Sequence, residues 1–111
     1  MQLNTRNHAI LSVDDDPMIL RILEDLVTRA GYEAFSVKSA AEALRLAGDR
    51  QFAVIIADHN MPDMMGAELL SQFAQIQPSA SRVLITGIKT FDVVTAAVNS
   101  GEIFRLSLIH I

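Results

Sequence analysis

Cysteine is absent from this 111-residue chain, which excludes disulfides and thiolate zinc sites and leaves the redox compartment unmarked. A basic excess is missing too. Nine Lys and Arg stand against 13 Asp and Glu, a net charge of −4, so the electrostatic footprint of a nucleic-acid binder is lacking. No apolar run approaches a bilayer span. Residues 1–8 lead only into a short apolar patch, too short for the core of a signal peptide. Repeats, linkers and low-complexity segments do not occur. With 50% hydrophobic and 20% charged residues, the composition is globular, and the length suits one domain with a real core rather than two. The expectation is a soluble cytoplasmic domain with no membrane segment and no direct nucleic-acid contact.

The chain is organised around residues 52–66. From Phe52 to Ala57 every residue is apolar without alternation, and Val54, Ile55 and Ile56 are β-branched. Such a run reads as a strand buried on both faces. It stops at Asp58 and gives way to a loop punctuated by Pro62 and Gly66. Open α/β sheets place their chemistry where a buried parallel strand delivers an acid at its carboxyl end. An aspartate there also suits an ordinary turn.

Taken in order, residues 8–13 form a first apolar strand. Asp16 is a candidate N-cap with Pro17 at the first helical position, where a missing N–H costs nothing. Ile19, Ile22, Leu23, Leu26 and Val27, widened by Leu20, keep helical spacing up to Ala30, and Gly31 suits the left-handed residue after the helix. Residues 32–37 read as a second strand. Ser39 and Glu42 have capping-box spacing and open a helix through Ala47, closed by Gly48. The strand 52–57 comes third. Residues 67–76 form a helix with Leu69, Leu70, Phe73 and Ile76 inward, stopped by Pro78. Residues 82–86 make a fourth strand. Thr90 or Phe91 opens a helix carrying Val93, Val94, Ala97 and Val98 to Gly101, and residues 102–108 make a fifth strand. Strands alternating with helices in this way predict an α/β fold, a doubly wound five-stranded parallel sheet with helices on both faces.

In such a sheet all strand carboxyl ends share one edge. If the first and third strands are neighbours, Asp14, Asp15 and Asp58 meet there, and Thr86 ends the fourth strand beside them. Two carboxylates about 5 Å apart repel by roughly 3 kcal/mol at an effective dielectric near 20. Three of them call for protonation, solvent or a cation, and hard oxygen donors without His or Cys favour Mg²⁺ over zinc.

These residues resemble the receiver domain of two-component response regulators. The matching pieces are Ile10 to Pro17 (ILSVDDDP), Val54 to Gly66 (VIIADHNMPDMMG) and Val83 to Gly87 (VLITG), in order and on strand ends, within a match over about residues 8–105. The resemblance implies the strand order 2-1-3-4-5 of a flavodoxin-like sheet. It makes Asp58 the phosphoacceptor for a sensor histidine kinase or phosphotransfer protein, with at most slow self-dephosphorylation rather than enzymatic turnover. Asp15 becomes the direct Mg²⁺ ligand and Asp14 its neighbour acting mostly through water. Asn60 would lend its backbone carbonyl to the metal, and Thr86 would hydrogen-bond the phosphoryl group. Phosphoryl transfer does require an in-line nucleophile, a cation and donors aimed at the oxygens.

The pattern also departs from the family. The family's strand-5 lysine should fall at Ile109 and its aromatic switch position at Leu106, and no residues remain for the final helix. Lys89 does not match the lysine position. Residues 106–111 therefore read as an atypical, truncated or frame-shifted tail on a receiver domain spanning 1–111, with an output domain beyond residue 111 in the parent protein. A sheet face without its last helix predicts a homodimer through that face or through the tail. The run from Val98 to Arg105 resembles receivers coupled to HD-type cyclic-dinucleotide phosphodiesterases. Two other functions compete: a pseudo-receiver that binds partners without switching, because of the missing lysine, and an aspartate-nucleophile phosphatase using Asp14 and Asp16. Asp63 reads as a solvated acid and His59 as an exposed loop side chain. His8 and His110 carry no assigned role, and Met61, Met64 and Met65 read as loop packing.

Overall fold

The computed structural model describes residues 8–85. Within them lie β1 (Ala9–Val13), α1 (Pro17–Arg29), β2 (Glu33–Val37), α2 (Ala40–Ala47), β3 (Val54–Asp58), α3 (Gly66–Ile76) and β4 (Ser81–Ile85). Each predicted element in this span is present, with ends moved by one or two residues. The expected helix from residue 90, the strand 102–108, Thr86, Lys89, Leu106 and Ile109 lie outside the described residues. So does the expectation of a bare sheet face.

All described strands are parallel, in the order β2-β1-β3-β4. The sheet separates two apolar layers. Leu11, Val13, Ile55 and Ala57 face α2 and α3, with Ala40, Ala43, Leu69, Leu70 and Phe73 packed on them. Ile10, Val54, Ile56, Val83 and Ile85 face α1, meeting Leu23 and Val27. Alternate residues of one strand thus serve opposite cores, which is why β1 and β3 are apolar throughout.

Local chemistry sets the boundaries. The Asp16 carboxylate accepts the Met18 N–H at 2.9 Å, and Pro17 occupies the first helical turn. Gly31 has φ 94°, a left-handed conformation in which a β-carbon is strained. The Ser39 hydroxyl accepts the Glu42 N–H at 3.2 Å, while the Glu42 carboxylate reaches the Lys38 N–H, one residue further out than in the usual box. Two expected inward residues point outward: Ile22 is 39% and Ile76 47% exposed. Ile22 sits at the margin of the α1 stripe. At the end of α3 the buried place falls to Gln77 instead of Ile76.

Candidate functional site

The register decides which acids meet. Val13 pairs with Ala57 across the β1–β3 ladder, so Asp14 and Asp58 are the next residues in line on neighbouring strands. Parallel strands lie about 4.8 Å apart, and Asp15 follows on the turn into α1. Ligand atoms of Asp14, Asp15 and Asp58 all come within 4.8 Å of one another. Asp14 is buried, Asp58 half-buried and Asp15 exposed, so the cluster opens to solvent on one side.

Local bonds hold the strand ends in place. The Asp14 carboxylate accepts the Asp16 N–H at 2.9 Å, while its own N–H donates to the Val37 carbonyl. Asp58 ends β3, and the His59 N–H crosses to the Ile85 carbonyl at 2.9 Å. Burial, reinforced by the charges of Asp58, Asp15 and Asp16 and opposed by the Asp16 amide, pushes the Asp14 carboxyl up from 3.8 to about 6. Among the described residues the ion pairs are Arg29–Asp25 and Arg50–Glu33, neither of which touches the cluster. Three all-oxygen donors, unpaired with any cation among the described residues, fit a hard divalent ion.

The loop beyond Asp58 is compact. Asn60 forms an isolated antiparallel bridge with Met65, and the Gly66 N–H returns to the His59 carbonyl at 2.8 Å. Met61 is buried and Met64 half-buried against the α2–α3 layer, as expected of loop packing, but Met65 is exposed. Gly66 permits the close approach of α3 to the strand end, since a β-carbon there would sit 2.1 Å from the Asp58 carbonyl oxygen. His59 is exposed, as expected, and Asp16 is a helix cap.

Asp63 corrects the sequence reading. Rather than being merely solvated, its carboxylate accepts the N–H groups of Ala40 at 3.2 Å and Ala41 at 3.1 Å, and these two bonds hold its pKa below the ordinary value. No local pattern announces a partner that far along the chain. Gln77 was missed as well, because a glutamine before Pro78 looks like any polar helix end.

A parallel α/β sheet carrying a metal-competent acid cluster at its carboxyl edge defines the class of protein. A model of the response regulator receiver domain matches residues 10–103, and the chain belongs to that family, the signalling domain of two-component systems. The transcriptional regulatory protein GlrR of Escherichia coli K12 is 30% identical over 92 residues, 83% of this chain and 21% of GlrR. The signal receiver domain of an HD domain-containing protein from Pseudomonas fluorescens Pf-5 superimposes with a TM-score of 0.70 at 34% identity, covering 90% of this chain and 74% of that one. A complex of the histidine kinase ThkA with the response regulator protein TrrA matches with a TM-score of 0.66 at 29% identity, over 71% of this chain and 68% of that one. The chain spans about a fifth or less of the length of curated relatives such as GlrR. None of the described helices is long and apolar enough to cross a membrane.

Proposed function

We propose that this chain is a phospho-accepting cytoplasmic switch that takes a phosphoryl group from a histidine kinase onto Asp58. The observation that carries this reading is the convergence of Asp14, Asp15 and Asp58 within 4.8 Å at the ends of adjacent strands. In the proposed step an Asp58 carboxylate oxygen attacks phosphorus, the P–N bond of a phosphohistidine breaks, and its electron pair returns to the imidazole. Asp14, Asp15, Asp58 and the Asn60 carbonyl would hold Mg²⁺, which supplies neutralisation of charge on the phosphoryl oxygens. Asp14 must be ionised to contribute, and a bound cation favours that form. Thr86 is assigned the hydrogen bond to the phosphoryl group on the strength of the family resemblance.

The kinase as partner is supported by the ThkA–TrrA match. An output region is inferred from the greater length of the curated relatives, and a coupled HD-type domain from the Pseudomonas neighbour. Exposed Met18 and Ile22 on α1, the helix that begins just past Asp15, offer apolar area for a docking helix. The phosphatase reading is disfavoured, because the Asp16 carboxylate is engaged as the α1 cap. The pseudo-receiver reading draws on Ile109, the position at which the resemblance would put the family's lysine.

Incubation with acetyl phosphate, with and without Mg²⁺, followed by mass spectrometric mapping tests the proposal. Label should appear on Asp58 only when Mg²⁺ is present. Equal labelling of Asp58→Ala would overturn the assignment, and an unlabelled but partner-binding wild type would favour the pseudo-receiver.

A further inference from the structure

We propose that Asp63 is a positioning residue that couples the cation site to the first turn of α2, a coupling that presupposes the site proposed above. A helix begins with N–H groups that have no partner within it. In α2 two separate devices satisfy them. Ser39, the residue before the helix, accepts the Glu42 N–H at 3.2 Å. The N–H groups of Ala40 and Ala41 go instead to the two oxygens of Asp63, one each, at 3.2 and 3.1 Å. One cap is local, and the other arrives from the loop that follows β3.

That loop behaves as a closed unit. The His59 N–H holds the Ile85 carbonyl at 2.9 Å, the Gly66 N–H holds the His59 carbonyl at 2.8 Å, and Asn60 bridges to Met65. Between these pins, Met61 plugs the α2–α3 core and Asp63 reaches across to α2. A displacement of Asn60 is therefore carried to Asp63 through few intervening bonds. If the cation requires the Asn60 carbonyl in place, binding must tighten the Asp63 clasp, and the clasp must tighten binding by the same factor. The first turn of α2 becomes a reporter of occupancy at the acid cluster.

The two caps supply the control. Calorimetric Mg²⁺ titration and amide hydrogen exchange on the full chain are compared for wild type, Asp63→Ala, Asp63→Asn and Ser39→Ala. Asp63→Ala should weaken Mg²⁺ by about fivefold, at the low end of ordinary coupling between sites. Ser39→Ala, which removes the local cap of the same helix, should leave affinity within about twofold, since it breaks no link to the loop. In wild type Mg²⁺ should slow exchange at Ala40 and Ala41, and in Asp63→Ala it should not. Loss of a nearby negative charge alone would weaken Mg²⁺ without changing how the ion affects those two amides. Asp63→Asn keeps one acceptor oxygen and should lie between, which preserves the test if the alanine variant folds poorly. Unchanged affinity in Asp63→Ala, or equal losses in Asp63→Ala and Ser39→Ala, would overturn the coupling. A wild type that binds no Mg²⁺ would overturn the proposed function and the coupling with it, a result the variants alone cannot mimic.

Discussion

The two edges of the sheet treat buried polarity in opposite ways. At the amino edge Gln77 is 2% exposed, and its side chain is fully used. Its oxygen accepts the Phe52 N–H at 2.8 Å, and its amide donates to the Ala47 and Arg50 carbonyls at 2.9 and 2.6 Å. Arg50 lies 4.3 Å from the centre of the Phe35 ring and pairs with Glu33 at 3.3 Å. At the carboxyl edge Asp14 is 4% exposed among like charges, with one hydrogen bond from its own turn. Mutually satisfied groups at one edge stabilise the fold, while the clustered acids at the other, without an ion pair among the described residues, cost stability in the absence of a cation.

The largest expected effect tests how tightly the acid edge is built. Alanine ordinarily stabilises a helix relative to glycine. At Gly66 the sign should reverse, because the new β-carbon would overlap the Asp58 carbonyl oxygen at 2.1 Å. Gly66→Ala should lose about 3 kcal/mol or more in urea unfolding and weaken Mg²⁺ as well. Next comes the amino edge. Gln77→Ala strands the Phe52 N–H and the Ala47 and Arg50 carbonyls, and should cost about 2–3 kcal/mol. Mg²⁺ affinity should change little in folded protein, since the acids sit at the opposite end of the strands. A large loss of Mg²⁺ binding in this variant would show that the two edges are not separable.

The third effect is a pH dependence. The Asp14 carboxyl is raised from 3.8 in the unfolded chain to about 6 in the fold. The folded state therefore binds more protons between those values, so metal-free stability should fall as pH rises through about 4 to 6 and then level off. Asp14→Asn should flatten that slope and, in chelator, make the protein more stable than wild type near neutral pH. It should also weaken Mg²⁺, so stability and function would move in opposite directions at this one residue. Unfolding midpoints across pH 4 to 8, with and without Mg²⁺, check the sign.

Much was legible before any fold was drawn, and the reasons are local. The β-branched run before Asp58, the cap at Asp16, Pro17 and Gly31 each act through their own or neighbouring backbone, so one stretch of chain suffices to read them. The acid cluster was legible once neighbouring strands were assumed. Ile76 misled because a period-3.6 stripe loses its meaning in the last turn, where the chain is already leaving the helix.

By itself the sequence determined the alternation of strands and helices, the two-sided burial of β1 and β3, and the acids at their ends, because these depend on side-chain type and short-range periodicity. Tertiary structure alone decided which polar groups pair across long stretches of chain. Asp63 reaches Ala40 and Ala41, and Gln77 reaches Ala47, Arg50 and Phe52, across 22 to 30 residues of chain. A hydrogen bond is satisfied by position in space to within a few tenths of an ångström, and no spacing along the chain encodes that position.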